Sequence, residues 1–419
     1  MAKNNGNESM DNFDIILFGA TSFVGQIMTK YMFAQFPLAE GSPRWAIAGR
    51  SEAKLLELKA SLGPDAGALV TLVADAQNEQ DLSRLCQQTK VIVSTVGPYA
   101  LYGEAMLKSC VSSGTDYCDL TGEPQWIIKM LKRYEKIAQA TGARIVNCCG
   151  FDSIPSDLGV MFTQQQAKLR FEQYCEAIYM RVKAAKGSAS GGTIASMMNL
   201  VKEATTDKQL RRLLATPYAL CPANHGFTQR QENLKSAKFD PPSQTWIAPF
   251  VMAAINTRIV HRTNSLLDKT YGKNFIYDEA MMMGKGTKGS VYATGLSVGL
   301  GGFMLAAALP PTRWFMEKVI LPKPGEGPSL KEQQQGYYDL RFFGETLDGR
   351  KIQTKVTGDQ DPGYGSTAKM LAQAAACLAQ DISKSALAGG FWTPASAMGD
   401  KLIDRLQKYA GLSFSVVKE

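Results

Sequence analysis

The sequence is poor in the residues that build zinc centres and secreted disulfide frameworks. It has only two histidines, His225 and His261, and its eight cysteines include the adjacent pair Cys148 and Cys149 but no Cys-x-x-Cys spacing. This pattern argues against a metal site and is typical of reduced thiols in a cytosolic protein. We therefore expect no metal ion and a cytoplasmic location.

Long runs of one charge are missing as well. The 46 Lys and Arg residues outnumber the 38 Asp and Glu residues, but they are spread along the chain. No nucleic-acid-binding motif accompanies them, so we expect no nucleic-acid partner. Residues 1–12 are polar and lack the apolar core of a secretory signal, so we expect none. A length of 419 residues with 45% hydrophobic content predicts two or three globular domains.

A strand, a tight turn and a helix are predicted over residues 14–25. An apolar run at 15–18 ends at Gly19, and apolar residues at helical spacing follow. Gly19 would permit the turn, Gly25 would allow the helix to approach the strand, and the first N–H groups of the helix suit a pyrophosphate. Ser22 stands where many dinucleotide-binding turns carry a glycine. Alone, the turn fits either a cofactor site or a purely structural connection.

The alternation of strand and helix continues through the first 155 residues. Further apolar runs predict five more strands, at residues 45–49, 68–74, 91–97, 117–120 and 144–149. This rhythm indicates a parallel sheet of the Rossmann type with right-handed crossovers. Ligands of such a sheet lie beyond the carboxyl ends of its strands.

Arg50 follows the second strand, where the adenosine ribose of a dinucleotide would lie. An arginine there neutralises a 2'-phosphate and favours NADP over NAD, and Ser51 and Lys54 would add a hydroxyl and a second charge. The alternative is an exposed arginine at a strand end. The predicted NADP(H) site comprises residues at successive strand ends: Gly19, Thr21, Ser22, Phe23, Val24, Gly25, Arg50, Ser51, Lys54, Asp75, Ala76, Thr95, Val96, Gly97, Pro98, Tyr99, Gly150 and Phe151.

Three residues near the expected nicotinamide position are candidate proton donors. Tyr99 follows strand four, and Asp152 and Ser153 follow strand six. Tyr99 fits equally a ring that packs on the cofactor, and the other two fit caps of the next helix. The Tyr-x-x-x-Lys couple of short-chain dehydrogenases is absent at helical spacing. Its only match, Tyr179 to Lys183, lies on a strand-like run that would separate the two residues by about 13 Å.

Several motifs together resemble the saccharopine-dehydrogenase-like oxidoreductases. They are Gly-Ala-Thr-Ser-Phe-Val-Gly25, Ala-Gly-Arg50, Val-Gly-Pro-Tyr99 with Tyr102-Gly103, Asp116-Tyr-Cys-Asp-Leu-Thr-Gly-Glu123, Cys149-Gly-Phe-Asp-Ser-Ile-Pro-Ser-Asp-Leu-Gly159, Asp361-Pro-Gly-Tyr-Gly-Ser-Thr-Ala368 and Gly390-Phe-Trp-Thr-Pro394. Within that family the chain is most similar, over nearly its whole length, to the branch of the mycobacterial trans-acting enoyl reductases and the animal saccharopine-dehydrogenase-like protein. The resemblance implies an NADP-type Rossmann domain, a substrate domain, and C-terminal helices that return to the first domain.

The strand-helix rhythm changes near residue 170, where alternating and helical patterns become mixed. This change predicts a second, α+β domain on an antiparallel sheet. The predicted fold class is therefore α/β, a doubly wound Rossmann-type parallel sheet followed by the α+β substrate domain. We place the Rossmann domain at 1–160, the substrate domain at 161–360 and the C-terminal helices at 361–419.

Residues 291–309 form an uncharged stretch of nineteen residues, preceded by Lys285 and Lys288 and followed by Arg313 and Lys318. As a helix it would be about 28 Å long, close to the hydrocarbon thickness of a bilayer. A full span would separate the C-terminal helices from the Rossmann domain to which they are expected to return. A helix or hairpin lying on a membrane or lipid surface, and a buried or oligomer-forming segment, are the other interpretations. A peripheral location on a membrane or lipid droplet, and a homodimer, are both left open.

Three functional hypotheses follow. The resemblance favours an NADPH-dependent oxidoreductase that reduces a lipophilic small molecule, most concretely an enoyl double bond. A saccharopine-type enzyme acting on an imine would need basic residues for several carboxylates, for which Arg258, Arg262 and Lys269 are candidates. The third hypothesis is a non-catalytic NADP-binding protein of a membrane or lipid droplet.

Overall fold

The computed structural model describes residues 13–187, 191–316 and 327–417. Its strands, in chain order, are β1 (Phe13–Phe18), β2 (Trp45–Gly49), β3 (Val70–Val73), β4 (Thr89–Ser94), β5 (Asp116–Asp119), β6 (Arg144–Val146), β7 (Cys175–Lys186), β8 (Lys238–Asp240), β9 (Thr245–Pro249), β10 (Ile276–Gly284), β11 (Tyr337–Thr346), β12 (Lys351–Gly358), β13 (Gly390–Trp392) and β14 (Leu412–Val416). They form two seven-stranded sheets, one for each main part of the molecule.

The helices connect and cover these sheets. They are α1 (Phe23–Gln35), α2 (Glu52–Ala60), α3 (Glu79–Gln87), α4 (Tyr99–Tyr102), α5 (Glu104–Ser113), α6 (Pro124–Thr141), α7 (Ile154–Phe171), α8 (Gly191–Thr206), α9 (Lys208–Leu214), α10 (Ala253–Leu266), α11 (Gly286–Ala308), α12 (Pro310–Phe315), α13 (Leu330–Gln334), α14 (Thr367–Ala376) and α15 (Pro394–Tyr409). A 3-10 turn lies at Pro64–Ala68 and π-helical turns at Pro362–Ser366 and Cys377–Asp381.

The first sheet is parallel throughout, in the order β13-β6-β5-β4-β1-β2-β3. Its central strands are buried on both faces, which explains the continuous apolar runs at 15–18 and 91–93. This confirms the Rossmann-type prediction. The sheet has one strand more than the six predicted, because β13 returns from near the C-terminus to pair with β6.

The second sheet has the order β14-β12-β11-β7-β10-β9-β8. The prediction of an antiparallel sheet is correct for five of its neighbouring pairs, whereas β7 and β10 are parallel. A parallel pair needs a crossover, and the long segment between these strands supplies it through α8, α9 and α10. The sheet is therefore mixed.

The C-terminal segment belongs to both sheets rather than to one. It adds β13 to the first sheet and β14 to the second, and α14 packs against α1, β4 and β5. The predicted return to the Rossmann domain thus includes a strand as well as helices. This arrangement ties the two sheets together.

Candidate functional site

A cavity of about 1680 Å³ lies between the carboxyl edge of the first sheet and the second domain. The Rossmann side contributes the β1–α1 turn and the residues after β2, β3, β4 and β5. The other side contributes α8, the segment that leads into α10, part of β10 and one edge of α11. The volume is larger than a site for one drug-sized molecule needs, so a dinucleotide and a second ligand can share it.

The β1–α1 turn has the close packing that a pyrophosphate site requires. Gly19 has φ +88°, and a Cβ at Gly25 would lie 2.3 Å from the carbonyl oxygen of Gly19. Both positions therefore need glycine. Ser22 ends the turn as the N-cap of α1, since its Oγ accepts the N–H of Gly25 at 3.0 Å. The side chain that replaces the usual glycine thus stabilises the start of the helix.

Thr95 joins this turn to the end of β4. Its hydroxyl donates to the Gly19 carbonyl at 2.9 Å and lies 3.0 Å from the Ser22 hydroxyl. The same packing leaves Phe23 and Val24, at the first turn of α1, on the cavity wall. Their backbone N–H groups and the positive end of the helix dipole are suited to a pyrophosphate.

Arg50 and Lys54 form the positive end of the cavity. Both side chains are exposed and line the cavity at the start of α2, and Ser51 caps that helix by accepting the N–H of Lys54. Asp75 and Ala76 lie beside them after β3. Two cations near the place of the adenosine ribose fit a 2'-phosphate, so the residues present suit NADP(H).

The structure brings most of the predicted cofactor residues to the cavity wall and leaves three behind it. The wall includes Gly19, Thr21, Ser22, Phe23, Val24, Arg50, Ser51, Lys54, Asp75, Ala76, Thr95, Val96, Gly97, Pro98 and Tyr99. Gly25 packs under the turn, while Gly150 and Phe151 contact Thr367 of α14, whose hydroxyl accepts the Phe151 N–H at 2.9 Å. These three residues support the site instead of lining it.

Tyr99 is placed less favourably for proton transfer than for packing. Its hydroxyl donates to the Ser94 carbonyl at 2.8 Å and accepts the N–H of Leu120 at 3.3 Å. Burial raises the pKa of Tyr99 well above its ordinary value. Because its proton is held by a backbone carbonyl, the geometry favours the alternative interpretation, a ring that forms part of the cavity wall.

Asp152 is the acidic candidate that faces the cavity. It is half-buried on the wall, and its carboxyl has no hydrogen-bond partner in the part of the chain that the structure describes. A Cβ at Gly122 would lie 3.7 Å from the Asp152 Cγ and 3.7 Å from the Met252 Cε, which places Asp152 where the two domains meet. Burial, with a smaller contribution from Asp119, raises the pKa of Asp152 to about 7.

Ser153 does not accompany Asp152 into the cavity. It is fully buried, and its hydroxyl donates to the Asn256 Oδ1 at 3.1 Å. Asn256 in turn donates to Glu279 at 2.9 Å, and the Tyr277 hydroxyl donates to the same carboxyl at 2.7 Å. Ser153 therefore positions Asn256 and shows no direct access to a ligand.

Glu123 and Glu279 are among the carboxylates on the wall that the sequence analysis missed. Glu279, on β10, lines the cavity, and burial raises its pKa to about 7. Glu123 accepts the N–H groups of Tyr99 and Ala100 at 2.8 and 3.0 Å and the Ser196 hydroxyl at 2.8 Å. It therefore ties the loop after β4 to α8. Glu123 stands in a quoted motif, but no local pattern marks Glu279.

The proposed basic cluster for a polycarboxylate substrate is not assembled. Arg262 does not line the cavity and pairs with Glu135 at 2.9 Å. Lys269 is not on the cavity wall, so Arg258 is the only one of the three that lines it. This geometry disfavours a saccharopine-type substrate with several carboxylates.

Comparison with known proteins agrees with this architecture. Residues 15–146 match the family model described as the saccharopine dehydrogenase NADP binding domain. In solved structures, the chain resembles apo saccharopine dehydrogenase (L-Glu forming) from Saccharomyces cerevisiae, with a TM-score of 0.54 at 12% identity over 97% of this chain and 100% of that one. The match to the family model establishes NADP(H) as the cofactor. The likeness to the yeast structure concerns the fold alone.

Curated relatives match almost the full length. The chain is 35% identical over 407 residues to the trans-acting enoyl reductase of Mycobacterium tuberculosis, covering 94% of this chain and 95% of that protein. It is 34% identical over 407 residues to the protein of the same name from Mycobacterium leprae, with the same coverage. A further M. tuberculosis protein, whose name assigns this activity provisionally, is 38% identical over 418 residues, 97% of this chain and 98% of its own length.

Proposed function

Because the chain belongs to the family of the trans-acting enoyl reductases, an NADP-dependent group of oxidoreductases, we propose that it reduces the carbon–carbon double bond of an enoyl chain held in this cavity. The observation that carries the proposal is Asp152, a cavity-facing carboxyl without a hydrogen-bond partner among the described residues. Its pKa of about 7 keeps a large fraction protonated at neutral pH, as a general acid requires.

The chain's own residues divide the work of such a reaction. NADPH, when bound, supplies the hydride that goes to the β-carbon. Asp152 donates its proton to the α-carbon and becomes a carboxylate, which balances the addition of two hydrogens across the double bond. Glu123 fixes the loop after β4 against α8, so that the two halves of the cavity keep their spacing.

The wall opposite the Rossmann edge suits an acyl chain. It carries apolar side chains from α8, from the segment before α10, from the first turn of α10 and from one edge of α11: Ile194, Met197, Met198, Leu200, Val251, Met252, Ile255, Leu300 and Met304. Burial of each methylene of a chain against such a wall contributes about 0.8 kcal/mol. This composition supports a lipophilic substrate.

The test is NADPH oxidation by the purified protein with a 2-enoyl thioester of medium chain length. We expect turnover by the wild type and a loss of about 10²- to 10⁴-fold in kcat for Asp152→Asn, with NADPH binding retained. Glu232→Gln is the matched control, because it removes an exposed carboxylate from the same cavity rim. Turnover of small imino acids without turnover of enoyl thioesters would overturn the proposal.

We further propose that α11 lies on an anionic lipid surface. By length and composition it is the one helix of the described chain that could cross a membrane. One edge packs on α8, β9 and β10, whereas the side chains of Val291, Tyr292, Val298 and Leu305 are exposed. This packing favours a surface position over a full span.

The charges around α11 favour a lipid headgroup region as its partner. Residues 280–316 contain Lys285, Lys288 and Arg313 but no Asp or Glu. Trp314 and Phe315 of α12 are 58% and 50% exposed, as is typical of side chains at a membrane interface. A peripheral location would bring the substrate cavity beside its lipophilic substrate.

Flotation with vesicles containing phosphatidylglycerol tests the surface proposal. The wild type should float, and Val298→Glu with Leu305→Glu should abolish flotation while leaving NADPH binding unchanged. Leu169→Glu is the control, because Leu169 is an exposed leucine remote from this helix in sequence. Flotation retained by the double variant would contradict the proposal, as would a wild-type homodimer that the double variant converts to monomers.

A further inference from the structure

The four buried arginines of the described chain differ in their partners. Three of them form ion pairs with carboxylates: Arg144 with Asp116, Arg181 with Asp240 and Asp278, and Arg262 with Glu135. The fourth, Arg258, has no carboxylate partner among the described residues. A buried cation without a counter-charge is costly, and the other three sites show how this protein usually compensates one.

Arg258 is held by backbone oxygens alone. Its Nη1 donates to the carbonyl of Ala254 and its Nη2 to the carbonyl of Leu214, whereas its Nε has no partner in the described part of the chain. Two of the five N–H donors of the guanidinium are thus used. Burial lowers the pKa of Arg258 to about 10, which still leaves it charged at neutral pH.

Arg258 lies where a ligand in the cavity can contact its guanidinium. Arg258 is 9% exposed and lines the substrate cavity together with Ile255 and Thr257 of α10. Arg50 and Lys54, the cations of the cofactor end, lie on a different domain and are exposed. Arg258 is therefore a separate, buried cation within the apolar half of the cavity.

We propose that Arg258 binds an anionic group of the substrate, so that the enoyl chain reduced here carries a carboxylate or a phosphate ester. The planar guanidinium matches the paired oxygens of either anion. A bound anion would supply the counter-charge that Arg144, Arg181 and Arg262 obtain from the protein. That the anion belongs to an enoyl substrate rests on the proposed function. Anion binding at Arg258 can be measured without any turnover.

Isothermal titration calorimetry measures anion binding without turnover. The protein is saturated with NADP⁺, so that the cofactor occupies the phosphate site at Arg50 and the probes cannot bind there. The probes are dodecyl phosphate, dodecanoate and dodecanol, which share one chain length. We expect dodecyl phosphate or dodecanoate to bind about tenfold or more tightly than dodecanol. The stronger of the two anions identifies the group that Arg258 recognises.

Variants then assign the preference to Arg258. Arg258→Met should abolish the tighter binding of the anions relative to dodecanol, while the affinity for dodecanol stays within about twofold of the wild type. Arg258→Lys should retain part of the preference for the anions. Lys202→Met, which removes an exposed cation from the same cavity wall, is the control and should retain all of it.

Two results would overturn the proposal. If the wild type bound dodecanol and both anions with equal affinity, the cavity would not discriminate between charged and neutral ligands. An equal loss of alcohol and anion binding in Arg258→Met would show that the arginine only ties α9 to α10. If Arg258→Met does not fold, Arg258→Gln removes the charge while keeping polar N–H donors, and an unchanged anion preference in that variant is the contradicting result. Binding of the anionic probes without NADPH oxidation by any 2-enoyl thioester would count against the proposed reaction and not against the anion site.

Discussion

The two halves of the cavity are built in different ways. The cofactor half consists largely of backbone and small side chains at the carboxyl ends of neighbouring parallel strands, with Gly19, Ser22 and Thr95 holding one turn. The substrate half is assembled from α8, α10, β10 and α11, which come from separate stretches of the chain. The first half is specified locally, whereas the second depends on the packing of the whole second domain.

The largest effect should come from filling the closest contact of the cofactor half. In Gly25→Ala the new Cβ would lie 2.3 Å from the Gly19 carbonyl oxygen, so the turn must open. A displacement of this kind should weaken NADPH binding by about 100-fold or more. Gly67→Ala is the control, because a Cβ there meets nothing within 4 Å. Fluorescence titration measures the affinity of both variants for NADPH. Equal affinities of Gly25→Ala and Gly67→Ala would show that the turn does not hold the cofactor.

A smaller change should alter cofactor choice without touching the substrate half. Arg50→Ala removes a charge-assisted contact with the 2'-phosphate and should lower the preference for NADPH over NADH by about 10- to 100-fold. NADH affinity should stay the same, and Arg170→Ala, an exposed arginine outside the cavity, should change neither. A preference that survives Arg50→Ala would place the phosphate elsewhere.

The smallest effect concerns the junction of the two halves. Asp152 donates a proton only while protonated, and its pKa is about 7. As pH rises above that value the carboxylate form increases, so kcat/KM should fall about tenfold per pH unit. The residual rate of Asp152→Asn should lack this fall. A pH profile measured with saturating NADPH checks both, and an identical profile in the variant would assign the proton to another group.

The difference between the locally specified cofactor half and the substrate half explains how much of the structure could be predicted from the sequence. The run at 15–18, the glycines of the first turn and Arg50 each have a local meaning, and the structure places them as expected at the edge of a parallel sheet. The seventh strand, β13, could not be read from its three residues, because its pairing with β6 depends on a return from the far end of the chain.

Sequence reasoning was weaker where a role depends on the direction of a side chain. Tyr99 lies at the predicted place, but its hydroxyl is turned toward the Ser94 carbonyl. Ser153 follows Asp152 directly, and yet one is buried against Asn256 while the other faces the cavity. Arg258 and Arg262 share one helix, and only the packing around α10 decides which of them receives a carboxylate from the protein. The catalytic assignments therefore stay predictions.

The most direct test of the central claim is to follow the transferred hydride. The protein is incubated with a 2-enoyl thioester and NADPH that carries deuterium at the transferable position of the nicotinamide, and the product is examined by mass spectrometry and NMR. We expect a saturated product with one deuterium at the β-carbon and a proton from solvent at the α-carbon. NADPH that binds but is not oxidised by any enoyl thioester would contradict it.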